Sequence, residues 1–306
     1  MLRPLYTVQD EEIDFLVQKP DVSVIVPAYN EAAIIGKITL EISRVLEQTD
    51  YTFEVLVIDD GSTDGTAEAA EEAGARVIRH PYNIGNGAAI KAGIRQANGV
   101  VVLMMDADGQ HNPEDIPRIL QYTRSFDMVV GARARASKTD LHRDLANKIY
   151  NAAASYVCNR KIEDLTSGFR AVRADIAKRF VYLLPNTFSY PSTITLAIIR
   201  AGHSLKYVPI VTNRRVGRSK IHLIRDGVRF LTIILRIAVF FSPLRVFVPI
   251  SGLLFLLGFG WYIYAVFLGG RSFPPTSIVV MLTSVIIFFM GLVSEQITQL
   301  RYDRME

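Results

Sequence analysis

The stretch Val100-Val-Val-Leu-Met-Met-Asp106-Ala-Asp108-Gly-Gln110 ends an apolar run in two carboxylates spaced i, i+2. An apolar run of this length reads as a buried strand of a parallel sheet. Side chains at i and i+2 of an extended segment point the same way, so both acids share one side of the strand's C-terminal end. Open α/β sheets place their ligands at that edge. Two carboxylates so placed repel each other unless something positive lies between or beyond them. A divalent ion carrying a diphosphate meets that need, because hard cations take oxygen ligands and keep phosphate oxygens as partners. The plainer use of the same residues is a turn, with Asp108 preceding Gly109 and Asp106 accepting backbone hydrogen bonds.

A sheet has to hold those acids, and the N-terminal half of the chain reads as one. Val22–Val26 is a strand closing at Pro27; Tyr29-Asn30-Glu31 follows, then a helix over Ala32–Leu46 with Asn30 as its expected N-cap. Phe53–Ile58 is a second strand, closing in Asp59-Asp60-Gly61-Ser62, before a helix over Thr63–Gly74. A strand over Arg76–Arg79 and a helix over Gly87–Asn98 lead to the acid-bearing strand. Asn112-Pro113 opens the next helix, cap before first-turn proline, and Met128–Gly131 is a fifth strand ending at Arg133. Strands and helices alternating over short connections predict a doubly wound, mainly parallel α/β sheet. Three strand ends then bring Glu31, Asp59 with Asp60, and Asp106 with Asp108 to one edge. From Leu141 to about Tyr182 the pattern is helical around a short connection, Asp164–Arg170. A helix over Ser192–Ala201, a strand over Ser204–Val211 and a basic loop, Arg214–Lys220, come next.

The C-terminal part has a different character. Half of the 306 residues are apolar, the mean hydropathy is +0.23, and the excess is localised. Val246–Leu268 and Ser272–Ser294 carry no charged residue. Each would span roughly 35 Å as a helix, enough for a bilayer core of about 30 Å. In the preceding stretch, Ile221–Phe241, His222, Arg225, Arg229 and Arg236 fall within about 60° on a helical wheel, the pattern of a helix lying in the membrane interface. Arg225, Arg229, Arg236 and Arg245 before the spans, and Arg301 and Arg304 after them, outnumber the single Arg271 between. The positive-inside rule therefore predicts a cytoplasmic N-terminal domain and tail. Neither span contains Gly-x-x-x-Gly, so no pairing face is named. The domain division expected is a lead-in at 1–20, a catalytic unit at 21–220, a juxtamembrane amphipathic helix at 221–243, two spans within 244–296 (about 246–268 and 275–294) and a tail at 297–306. The net charge of +4 is modest and calls for no nucleic acid partner. The single cysteine, Cys158, excludes an internal disulfide and a cysteine-based zinc site.

Pro27-Ala-Tyr-Asn-Glu31, Ile58-Asp-Asp-Gly-Ser-Thr-Asp64, Asp106-Ala-Asp-Gly-Gln110, Thr166-Ser-Gly-Phe-Arg170 and Arg214-x-x-Gly-x-Ser-Lys220 together resemble the family 2 glycosyltransferases of the GT-A fold. Within them the chain looks like the polyprenyl-phosphate group, which includes dolichol-phosphate mannose synthase and the bacterial undecaprenyl-phosphate sugar transferases. The resemblance covers roughly residues 20–225, and the terminal hairpin is similar to that of several members. It implies a GT-A, Rossmann-like doubly wound sheet followed by interfacial helices and a two-helix transmembrane hairpin. It also implies transfer of one sugar, with inversion, from a UDP- or GDP-sugar to a polyprenyl phosphate. On that resemblance Pro27, Tyr29, Glu31 and Asp59 hold the base and ribose, and Asp106 and Ala107 line the nucleotide. Asp108 and Gln110 bind Mg²⁺ or Mn²⁺. Arg133, Arg143 and Ser167 meet the acceptor phosphate, and Arg214 and Lys220 close over the diphosphate. Asp108, Arg133 and Arg143 are thus the expected catalytic residues, and membrane lipids and a homo-oligomer through the spans the expected partners. A processive polysaccharide synthase would carry Gln-x-x-Arg-Trp, whereas the one tryptophan, Trp261, lies inside a span. A dehydrogenase would need Gly-x-Gly-x-x-Gly after the first strand, which is absent. A non-catalytic membrane adaptor would not need the intact acids and basic loop.

Overall fold

The computed structural model describes residues 19–133, 141–186, 189–212, 235, 239–269 and 274–303; for 141–147, 268 and 301–303 it describes the backbone alone. Seven strands form one sheet: β1 (Val22–Ala28), β2 (Phe53–Asp59), β3 (Arg76–Arg79), β4 (Val101–Met104), β5 (Met128–Arg133), β6 (Arg170–Arg173) and β7 (Leu205–Ile210). Their order is β3-β2-β1-β4-β6-β5-β7. All pairings are parallel except those of β6, which runs antiparallel to both β4 and β5.

Alternation along β1 shows why the sheet is covered on both sides. Val22, Val24 and Val26 join α1 (Ala32–Glu47), α2 (Thr66–Glu72) and α4 (Ile116–Leu120) in one core layer, through Ile35, Ile38, Ile42, Ala70 and Ile119. Ile25, with Leu56 and Met104 of neighbouring strands, joins the other layer. There α3 (Asn86–Gln96), α5 (Leu141–Cys158), α6 (Ala174–Phe180) and α7 (Tyr190–Arg200) contribute Ile90, Ala154, Phe180 and Leu196. The doubly wound, mainly parallel expectation holds. Each fully buried branched side chain stabilises this arrangement by about 1.5–3 kcal/mol relative to exposure.

Two local expectations differ. Asn30 does not cap α1. It sits in the left-handed region (φ 54°), and the cap position belongs to Glu31, which makes no side-chain cap bond. The next loop supplies the acceptors instead: Glu31 N–H donates to Thr66 Oγ1 (2.9 Å) and Ala32 N–H to Asp64 Oδ2 (3.1 Å). The segment Leu141–Tyr182 is also not purely helical, because β6 lies within it. Its sequence, Arg-Ala-Val-Arg, is too short and too charged to advertise a strand. Asn112 does cap as expected, its side chain accepting from Glu114 N–H over a single 3₁₀ turn.

The C-terminal helices α8 (Pro243–Ile263, closing in a π-helical turn at Tyr264–Leu268) and α9 (Pro275–Asp303) pack as a hairpin. Candidate spans run Pro243–Phe267 and Pro275–Leu300, with only 11% and 17% of their most apolar windows buried inside the chain, so they are not core helices of a soluble domain. The helix α9 continues past the expected end at Ser294, for about 44 Å in all. Glycines mark where the two helices meet. A Cβ on Gly291 would lie 2.6 Å from Phe247 Cβ, and one on Gly258 3.0 Å from Met281 Cγ. Small residues at such positions let helices approach closely in lipid. The interfacial helix expected over 221–243 lies largely outside the described residues.

Gly291→Leu overfills this contact. It is expected to destabilise the hairpin by about 1–3 kcal/mol, seen as a lower midpoint in thermal unfolding of the detergent-solubilised protein followed by circular dichroism.

Candidate active site

The antiparallel strand builds the site. Because β6 starts where β4 and β5 end (Arg170 is paired with both Met104 and Val130), the loop leading into it, Asp164–Phe169, arrives at the same edge as Asp106 and Arg133. Gly168 lies against Asp106: a Cβ there would overlap the carboxylate, coming within 3.0 Å of Cγ. Burial pushes the Asp106 carboxyl up; His111 opposes that shift and Asp108 reinforces it. The Asn86 side chain, at the start of α3, favours the charged form of Asp106. Asp108 Oδ1 accepts from Gln110 N–H at 3.1 Å, closing a tight turn that carries both residues beside Asp106. Asp108 and Gln110 offer hard oxygen donors, the set that suits Mg²⁺ or Mn²⁺. Among the described residues no group of three or more His, Cys, Asp or Glu side chains is gathered to hold an ion. The donor set therefore fits an ion whose shell is completed by phosphate oxygens.

His111 follows this turn and is 7% exposed. Its Nε2 is 3.9 Å from Asp106 Oδ2 and its ring lies 5.2 Å from that of Phe169. Burial pushes its pKa down, against the carboxylates of Asp106 and Asp108.

Arg133, at the end of β5, is clamped by Asp164. Its Nε and Nη2 donate to the two carboxylate oxygens at 2.7 and 2.8 Å, and Nη2 also reaches Thr166 Oγ1. A bidentate grip of this kind fixes the plane of the guanidinium. Burial opposes the charge on Asp164, yet the hydrogen bonds and charge of Arg133 outweigh it and hold the carboxyl below the ordinary range. A depressed folded-state value adds stability above the unfolded-state value and loses it as pH falls through the folded one, so the clamp is intact at neutral pH. Asp164 Oδ1 also accepts from the N–H groups of Thr166 and Ser167, each at 3.1 Å.

Ser167 is 2% exposed, and its hydroxyl accepts from Phe169 N–H at 3.3 Å. That geometry serves the loop's backbone. Arg170 is fully buried: it donates to Ser167 O (Nε, 3.1 Å), Pro191 O (Nη1, 2.7 Å) and Thr195 Oγ1 (Nη1, 2.8 Å), tying the loop to the first two turns of α7.

On the other side of Asp106 lie the ends of β1 and β2. Pro27 is buried within β1, and Tyr29, just beyond it, is 47% exposed, a ring face open to stacking. Asp59 is buried and accepts from Ser62 N–H at 3.0 Å. Asp60 has a structural task, since its two oxygens accept from Ile84 N–H (3.1 Å), Gly85 N–H (2.8 Å) and the His80 ring (2.7 Å). Ala107 is buried beside the acids.

The structure thus brings Tyr29, Glu31, Asp59, Asp106, Ala107, Asp108, Gln110, Arg133 and Ser167 to one sheet edge. Arg143 stands in the first turn of α5, with its side chain outside the described residues; Arg214 and Lys220 lie outside them altogether. Sequence reasoning gave no role to Asp164, Arg170, His111 or Asn86. Only Asp164 has a local signal, an aspartate two and three residues before Thr and Ser, as in turns where the side chain takes backbone N–H groups.

Gly168→Ala should displace the Asp106 carboxylate while leaving β6 paired. The expected outcome is a fall of about tenfold or more in nucleotide affinity, read by isothermal titration calorimetry, against an unchanged circular dichroism spectrum.

With that geometry in place, the comparisons with known proteins are informative. Residues 23–181 match the Glycosyl transferase family 2, and residues 242–300 match the GtrB C-terminal hairpin. The chain is 31% identical over 261 residues to an undecaprenyl-phosphate 4-deoxy-4-formamido-L-arabinose transferase of Pectobacterium carotovorum, covering 78% of this chain and 73% of that one. It is 31% identical over 211 residues to an undecaprenyl-phosphate mannosyltransferase of Micrococcus luteus, covering 64% and 85%. Among solved structures, glucosyl-3-phosphoglycerate synthase from Mycobacterium tuberculosis, determined with Mn²⁺ and UDP-glucose, shares the fold with a TM-score of 0.55 at 22% identity, covering 76% of this chain and 82% of that one. Family match, sheet and acid-bearing edge agree: this chain belongs to glycosyl transferase family 2, with a GtrB-type hairpin at its C-terminal side.

Proposed function

We propose that this glycosyltransferase moves one sugar from a nucleotide diphosphate sugar to a polyprenyl phosphate, inverting the anomeric centre. The observation that carries the reading is the meeting of two unlike sites at one edge. Asp106 and Asp108 lie in the turn just after β4, Arg133 held by Asp164 ends β5, and the same chain continues into an apolar hairpin. The first suits a metal-bound diphosphate, the second an anionic acceptor, and the third an acceptor whose tail stays in a bilayer. The names of relatives that align through most of this chain support the same acceptor class.

In this mechanism Tyr29 stacks on the base, and Glu31 and Asp59 accept hydrogen bonds from ribose hydroxyls. Asp108 and Gln110 hold Mg²⁺ or Mn²⁺, which when bound neutralises charge on the diphosphate. An oxygen of the acceptor phosphate attacks the anomeric carbon. The bond from that carbon to the diphosphate oxygen breaks, and its electron pair leaves with the nucleotide. The nucleophile is an anion at neutral pH, so no strong base is needed, and Arg133 and Arg143 orient it. Ser167 acts near the acceptor by shaping the loop. Arg214 and Lys220 close over the leaving diphosphate. Most of the rate enhancement then comes from positioning and from complementing charge as it develops. Arginines flanking the spans and their scarcity between them support a cytoplasmic catalytic domain and tail.

Purified protein in detergent, given undecaprenyl phosphate, Mg²⁺ or Mn²⁺ and a panel of sugar nucleotides, is expected to yield a glycosylated lipid phosphate with one donor, visible by mass spectrometry and lost on chelation. Absence of product with every donor would sink the acceptor assignment. Asp108→Ala should cut turnover by hundreds-fold, about 3–4 kcal/mol of transition-state stabilisation; near-wild-type turnover with metal supplied would remove Asp108 from the site. Asp164→Asn loosens Arg133 and should raise KM for the acceptor by about tenfold while leaving that for the donor unchanged, in steady-state assays varying each substrate.

A further inference from the structure

A carboxylate in an apolar span is costly and marks a task. Glu295 lies within the second candidate span, Pro275–Leu300, with its side chain only 15% exposed. Its Oε2 accepts from Leu244 N–H at 3.4 Å, in the first turn of α8, and its Oε1 is 3.8 Å from Nη2 of Arg200. One carboxylate in the C-terminal third of α9 therefore joins the start of α8 and the last residue of α7. An anion at a helix N-terminus is favoured by the exposed N–H groups and the dipole.

The far end of α7 lies at the acceptor side of the active site. Arg170 donates to Pro191 O and Thr195 Oγ1 there, and to Ser167 O in the loop that also carries Asp164 and Thr166. The eleven residues of α7 thus span about 16 Å between the Arg133 clamp and the root of the hairpin. A second helix, α5, meets the same root: Tyr156 Oη donates to Arg245 O (3.2 Å), and Ser242 Oγ donates to Val157 O (3.0 Å). Tyr150 Oη, mid-way along α5, donates to Ser192 Oγ of α7 at 2.9 Å, bracing the two helices together. Packed helices braced in this way transmit displacement, because close-packed interiors do not absorb it.

We infer that Arg200 and Glu295 are positioning residues: acting through α7, they fix the height and tilt of the acceptor edge over the membrane hairpin, so that a phosphate anchored in the bilayer meets Arg133. The inference rests on the proposed polyprenyl phosphate acceptor. Neither side chain touches the donor or the reacting atoms, so their loss separates membrane presentation from chemistry. A shift of about 1 Å in such placement can cost on the order of 100-fold.

The test uses the full chain reconstituted in phosphatidylglycerol-containing vesicles, with two acceptors: undecaprenyl phosphate embedded in the bilayer, and a ten-carbon prenyl phosphate delivered from solution to the protein in detergent. Arg200→Glu and the milder Glu295→Gln are expected to raise KM for the embedded acceptor by about tenfold or more, with kcat, donor KM and the soluble acceptor's kinetics near wild type. The exchanged pair, Arg200→Glu with Glu295→Arg, should recover at least part of the loss. Unchanged KM for the embedded acceptor in both single variants, or an equal loss with both acceptors, overturns the positioning role while leaving the reaction standing. Absence of transfer to either acceptor by the wild-type protein overturns the reaction and this inference with it.

Discussion

Two carboxylates at a partly desolvated strand end are a constraint that the rest of the catalytic unit is built to meet. Asp106 and Asp108 repel each other, and burial raises the cost of charge on Asp106. The surroundings answer with dipoles and more distant charge: the Asn86 side chain, the His111 ring and the buried guanidinium of Arg170 all act on Asp106. In the proposed reaction a metal-bound diphosphate meets this electrostatic demand, coupling donor binding to relief of repulsion.

The antiparallel strand β6 brings a second cluster of side chains to these acids. In a wholly parallel sheet, the segment entering a strand lies at the edge opposite its neighbours' C-terminal ends. Reversing one strand sends its N-terminal loop to the ligand edge. Gly168 then abuts Asp106, and Asp164 reaches Arg133. A parallel β6 would have delivered Asp164 to the far side. Asp106 and the Asp164–Arg133 clamp are neighbours because of this one inverted pairing.

Attachment to the hairpin involves the helices on either side of β6. α5 and α7 brace each other and both meet the root of α8 and α9, while the start of α7 also takes the buried Arg170 side chain. A lipid acceptor sets a geometric problem that a soluble one does not, since its phosphate is confined to a plane. On the proposed positioning role, fixing the catalytic unit to its own membrane segment sets the register of the two surfaces before substrates arrive, lowering the entropy lost on productive binding.

The sequence alone determined the elements whose signals are local. Strands β1, β2 and β4 show as apolar runs, α1 as a helical period, and the Asn112 cap and the two apolar helices as composition and spacing. The acids at strand ends were legible for the same reason, because a parallel sheet fixes where its C-terminal ends must lie. Tertiary structure alone decided what depends on partners distant in the chain. β6 has four residues bounded by arginines and becomes a strand only when β4 and β5 flank it. The N-terminus of α1 takes its acceptors from residues more than thirty positions onward, so Asn30 was the wrong cap by a local rule that did not apply. Arg170 reads as one more basic residue in the chain, yet it is fully buried because backbone carbonyls from two separate segments converge on it. The hairpin's pairing face rests on single glycines opposite large side chains, as at Gly291 against Phe247, and spacing within one helix cannot reveal that. Periodicity and composition encode what a segment does by itself; which buried charge faces which donor is set only once the sheet order brings those segments together.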